Sequence, residues 1–114
     1  MVALLVAAST AAAASPVKSR TFDAAPESVW AAALAVARDM FAVDRAIQEE
    51  ARLLFRSGPF RGYRFEVTVV PAGPGKARVF IELKSSRPFL EKAAQRDAER
   101  YLVLLAQRLQ GLPK

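Results

Sequence analysis

The side chains with the most chemical reach in this chain are cations. Arg52, Arg56, Arg61, Arg64, Arg78 and Lys84 recur through the middle of the sequence with Phe80 among them, and the 114 residues carry a formal net charge of +6 with no His and no Cys. Guanidinium groups beside aromatic rings recognise anions and amphipathic surfaces; alone they supply neither a nucleophile nor a proton shuttle. The lack of Cys and His removes thiol chemistry, disulfides, zinc fingers, haem ligation by His, and every Ser-His or Cys-His nucleophile pair. Glu66 and Glu82 share a strand face, a placement that invites paired acid–base work. Their neighbours are Arg and Lys, which keep both carboxylates ionised, so no catalytic residue is assigned. Asp44, Glu49 and Glu50 do not follow calcium-loop spacing. Neither a metal site nor a cofactor is expected.

The elements that must position these cations follow from periodicity. Tyr63, Phe65, Val67 and Val69 alternate with Arg64, Glu66 and Thr68, and Ala77, Val79, Ile81 and Leu83 alternate with Arg78, Phe80, Glu82 and Lys84. A period of two with one apolar face predicts two half-buried strands. Pro71-Ala72-Gly73-Pro74-Gly75 reads as the loop between them. Charge selects a register: pairing Val70 with Lys76 sets Arg64 opposite Glu82, whereas pairing Val70 with Arg78 sets Glu66 opposite Glu82. At ~0.2–1 kcal/mol per cross-strand pair, the first register is expected.

Val17 to Phe22 is a further β-prone run. Pro26 and Glu27 mark a helix entry, and Trp30, Ala33, Leu34, Ala37 and Met40 fall at helical spacing, with Trp30 as a core anchor. Phe41 to Ser57 supports two readings. Val43, Ile47, Ala51 and Leu54 fit a helix face; alternatively, strands Phe41 to Ile47 and Arg52 to Ser57 flank a turn at Gln48 to Ala51. The hairpin is favoured because the next strands need partners, although its turn has no Gly, Asn or Pro and Arg45 breaks the alternation. Ser85 or Ser86 is placed to cap a second helix with a stripe of Leu90, Ala94, Ala98, Tyr101, Leu102, Leu105 and Leu109, the Tyr101 hydroxyl at its rim. Gly111 and Pro113 end it. The resulting class is α+β: an antiparallel sheet of four to five strands with two helices on one face, in the order β-α-β-β-β-β-α or, with strands merged, β-α-β-β-β-α.

Residues 1–14 read as the apolar and small-residue parts of a secretory signal, with Ala12 and Ala14 as an A-x-A cleavage site but no preceding Lys or Arg. The run is too short for a bilayer, which takes about 20 residues. No transmembrane span is therefore expected after its removal. Residues 15–114 form one domain, placed in the periplasm or outside the cell. A hydrophobic content of 53% excludes a mostly disordered chain.

Thr21-Phe22-Asp23-Ala24-Ala25-Pro26-Glu27-Ser28-Val29-Trp30, then an alanine-rich helix and Phe41-Ala42-Val43-Asp44, resembles the BamC-like domains of outer-membrane assembly lipoproteins. The resemblance implies a helix-on-sheet fold without catalytic residues. The chain departs from it in lacking a lipid-attachment Cys and a Gly near Glu50-Ala51. The Ala25-Pro26-Glu27-Ser28-Val29-Trp30 entry is also similar to that of helix-grip lipid-binding domains, which are longer.

With the apolar strand faces under the helices, the other face shows Arg52, Leu54, Arg56, Arg64, Glu66, Thr68, Arg78, Phe80, Glu82 and Lys84. This predicts a docking surface for a protein or an anionic envelope component, against the plainer reading of a solvated face on which Arg stems shield Phe80. Arg61, in Ser57-Gly58-Pro59-Phe60-Arg61-Gly62, adds a cation beside an aromatic ring. Nucleic acid is disfavoured as the partner, because an exported protein rarely meets it. The expected role is a non-catalytic cell-envelope interaction module. The alternative is a small carrier holding an apolar or anionic ligand between sheet and helices.

Overall fold

The computed structural model describes residues 17–56, 62–86 and 90–111. The expected signal segment 1–14, Arg61, and the residues from Ser57 to Phe60 lie outside them. The element order is β1 (Val17–Phe22), α1 (Pro26–Met40), β2 (Ala42–Ile47), a 3-10 turn (Gln48–Glu50), β3 (Arg52–Arg56), β4 (Tyr63–Pro71), β5 (Ala77–Ser86) and α2 (Glu91–Gln110). The strands form one five-stranded antiparallel sheet in the order β1-β5-β4-β3-β2. Both helices pack on one face, as the alternation requires.

The hairpin reading of Phe41 to Ser57 holds over its described part, as strands Ala42–Ile47 and Arg52–Arg56, and the two features that counted against it have local solutions. Ala51 takes the place of the missing Gly: it adopts the left-handed conformation at φ 51°, ψ 42°, which costs an L-residue ~1–2 kcal/mol. Its carbonyl compensates in part by accepting a 3.0 Å hydrogen bond from the Val69 amide, which ties the turn to β4. A register shift between Val43 and Arg45 accounts for the broken alternation. Asp44 is the extra residue of this bulge. Val43 therefore pairs with Phe55 on the helix side, while Arg45 pairs with Leu54 and Ile47 with Arg52 on the other.

The β4–β5 register is the Val70–Arg78 pairing, not the Val70–Lys76 pairing expected from charge. Glu66 and Glu82 do stand opposite each other. The like-charge penalty is met by cations from outside the pair: Arg52 Nε lies 2.6 Å and Lys84 Nζ 3.5 Å from Glu66, and Lys84 Nζ lies 3.7 Å from Glu82. A second shift, between Arg64 and Phe65, sets Arg64 opposite Ser85 and so avoids the Arg64–Lys84 clash. The five-residue connection Ala72–Lys76 closes with Ala72 N donating to Lys76 O at 3.0 Å, and Gly73 and Gly75 supply positive φ values of 122° and 67°. The two registers differ by two residues, so both keep the same side chains on the same face.

The core lies between the sheet and the helices. Leu53, Phe55, Phe65, Val67, Val79 and Ile81 meet Val29, Ala33, Ala37, Ala94, Tyr101 and Leu105, all buried. In α1 the buried stripe is Val29, Ala32, Ala33, Val36 and Ala37, one position around from the expected one. Trp30 is half-buried at the core edge rather than its anchor; small residues let α1 approach closely, and an indole does not fit under it. Pro26 does open the helix, after Ala25 as N-cap. Ser85 and Ser86, expected to cap α2, belong to β5 instead; the N-cap position is Leu90, with no side-chain cap, and Gly111 follows the last turn. Tyr101 is fully buried, not at a rim, and its hydroxyl donates to the Ala33 carbonyl oxygen at 2.8 Å. Phe41, just past α1, stacks on Phe55 at 4.7 Å between ring centroids and closes an aromatic cluster with Phe65 and Tyr101.

Candidate functional site

The uncovered sheet face collects six of the expected contact residues: Arg52, Arg56, Arg64, Arg78, Phe80 and Lys84. Cross-strand pairing arranges them in rows. Ile47, Arg52, Thr68, Phe80 and Ser19 form one; Arg45, Leu54, Glu66 and Glu82 form the next. Beyond these, Arg56 stands opposite Arg64 at one end and Arg78 beside Val70 and Thr21 at the other. Ile47, Leu54, Val70 and Phe80 are half-buried, so the face is apolar between its charges.

The cations divide by their partners. Arg52 is held by Glu50 at 2.7 Å and Glu66 at 2.6 Å; hydrogen bonds to Glu50 first, then Glu66, raise its guanidinium above its ordinary value. Arg56 Nε lies 3.1 Å from Asp44 Oδ1 in an ion pair whose angle falls short of a hydrogen bond. Lys84 bridges the two glutamates. These three mainly balance charge within the face. Arg78 lies over the Phe80 ring, 5.4 Å from its centroid, and donates to Ser19 Oγ at 2.8 Å. That places a guanidinium stem across Phe80, yet Ser19 is neutral, and no carboxylate among the described residues pairs with Arg78. Arg64 is exposed and in no ion pair among the described residues. Arg45, which the alternation had set aside as a break in the pattern, joins this face through the bulge, and it too is exposed and unpaired there. The sequence signal that marks it is the misfit itself: a charged residue out of phase in a strand pattern indicates a bulge.

Other regions offer less. The gap between α2 and the sheet, bounded by Phe65, Ile81, Leu83, Ala94 and Ala98, measures about 10 Å³, no more than a single water requires. At the other end of the helix layer, a groove of about 400 Å³ runs between the end of α1 and the first half of α2. Its residues Arg96 and Arg100 were not singled out by the sequence reading, although their spacing of four on a helix places them on one face. No group of carboxylates suited to holding a metal ion forms among the described residues, and no helix there is long and apolar enough to cross a membrane.

The fold defines a class: an α+β domain in which two helices cover one side of a five-stranded antiparallel sheet and leave the other open. Among solved structures, the chain is similar to the crystal structure of TTHA0849 from Thermus thermophilus, at 17% identity, 85% coverage of this chain, 97% coverage of that one and a TM-score of 0.52. That likeness is one of fold. No family model and no curated protein matches the chain.

Proposed function

We propose that this protein is a non-catalytic interaction module of the cell envelope, which docks an acidic protein surface through its open sheet face. One observation carries the reading: the face left bare by both helices presents Arg45, Arg64 and Arg78 with no carboxylate in an ion pair with them among the described residues, around half-buried Leu54 and Phe80. Such cations steer and orient an acidic partner, while the apolar centre supplies burial once water is expelled. The ion-paired Arg52, Arg56 and Lys84 fix the shape of the face and contribute less charge to a partner. The envelope placement rests on the signal-like residues 1–14 and on the resemblance of residues 21–44 to BamC-like domains. The carrier alternative has little support, since the gap between sheet and helices leaves no room for a ligand.

The test is capture from envelope extract by the immobilised mature chain, compared with Arg45→Gln/Arg64→Gln/Arg78→Gln. The reading expects a specific acidic protein that elutes with added salt, lost in the triple variant at unchanged thermal stability. Equal capture by the variant contradicts it, as does retention only of phosphatidylglycerol vesicles.

A further inference from the structure

We propose that the groove between the end of α1 and the first half of α2 binds a small amphipathic carboxylate, separately from the sheet face. The groove is open to solvent, holds about 400 Å³, and is lined by the carboxylates of Asp39 and Asp97 as well as by Met40, Phe41, Tyr63, Arg96 and Arg100. Its volume lies in the range of small-molecule sites, ~300–1,000 Å³.

With Arg108 counted beside Asp39, three guanidinium groups stand against two carboxylates in and around it. The Tyr63 hydroxyl donates to Asp97 Oδ2, which holds that carboxylate in place without removing its charge. Asp39 faces Arg108, 3.7 Å away. Arg96 and Arg100 form no ion pair among the described residues, and one helical turn separates them, so two guanidinium forks project from the same side of α2. Such forks match the planar geometry of a carboxylate better than an ammonium group does. The apolar wall has a firm backing. Phe41 is half-buried and stacked on Phe55, and Phe55 and Phe65 fix it from behind. A ligand with an acid group at the arginines and an aromatic or acyl body against Met40 and Phe41 satisfies both ends. A purely ionic ligand leaves the apolar wall unused.

The probe is 4-phenylbutyrate, with 4-phenylbutyramide as its neutral counterpart, titrated into the 15N-labelled full chain. Ligand size sets the expected Kd on the order of 1 mM. The proposal expects saturable shifts confined to the amides of residues 39–41 and 93–100, at least ~10-fold weaker binding of the amide, and a similar loss in Arg96→Gln/Arg100→Gln. The triple sheet-face variant retains the binding, which separates this site from the docking reading. Shifts that map to β3–β5, equal binding of acid and amide, or no saturation by ~10 mM overturn the proposal. So does an Arg96→Gln/Arg100→Gln protein that melts at lower temperature and binds as before; its arginines then serve the carbonyl end of α1.

Discussion

The Tyr101 hydroxyl donates a 2.8 Å hydrogen bond to the carbonyl oxygen of Ala33, joining α2 to α1 at the centre of the core. Both residues are fully buried. A phenol in that setting needs a partner, and a helix carbonyl whose own residue is as small as alanine is close enough to serve. Tyr101→Phe keeps the packing and removes the bond. Its expected cost is ~1 kcal/mol in urea unfolding, against ~3–5 kcal/mol for Tyr101→Ala, which also opens a cavity.

The same burial makes stability depend on alkaline pH. Desolvation holds the Tyr101 phenol well above its ordinary value of 10.0. Above pH ~10 the unfolded chain releases this proton and the folded chain keeps it. Stability is therefore fully present below that pH and falls as pH rises beyond it, by up to ~1.4 kcal/mol per unit. Unfolding free energies between pH 9 and 11 are expected to fall more steeply for the native chain than for Tyr101→Phe. Parallel slopes would mean that the hydroxyl ionises freely in the fold.

Ala51 is the one non-glycine described residue with positive φ, at 51°. Ala51→Gly relieves that conformation, with some loss through a freer unfolded chain. A net gain of ~0.5–1 kcal/mol is expected in thermal or urea unfolding. A loss would show that the Ala51 methyl group contributes more by packing than the backbone loses.

Glu66 neutralises more than one cation on the open face, lying 2.6 Å from Arg52 and 3.5 Å from Lys84 while facing Glu82. Glu66→Gln removes the negative charge that offsets Arg52, and its urea midpoint is expected to fall. Raising salt to ~1 M should narrow the gap from the native chain, since screening acts on the charge alone. A gap that does not respond to salt would assign the effect to shape.

Much of this arrangement is legible in the sequence, and the failures share a cause. Alternation placed Phe65, Val67, Val79 and Ile81 under the helices and Arg64, Arg78 and Phe80 on the open side, because strand periodicity depends only on the residue's own neighbours. Register depends on the balance of all nearby charges. A two-strand view saw Glu66 against Glu82 as repulsive, but Arg52 arrives from β3 and cannot be counted from β4 and β5 alone. Likewise, helix phase for α1 turned on a crowd of alanines, where Trp30 is the largest apolar residue and draws the stripe toward itself. Close packing instead selected Val29 and the small residues. Arg45 was passed over because a bulge rotates the strand after it. Arg96 and Arg100 were passed over because a solvated helix face carries such pairs routinely; what distinguishes them is the groove formed with Phe41 and Tyr63, distant in sequence.

The most direct test of the docking account is a photo-crosslinking amino acid placed at Thr68, in the middle of the open face, and in a second protein at Val103, the exposed apolar residue of α2. Incubated with envelope extract and irradiated, the Thr68 protein is expected to give a discrete adduct with an acidic protein, and the Val103 protein none. Adducts from Val103 alone, or the same adducts from both, would contradict the account.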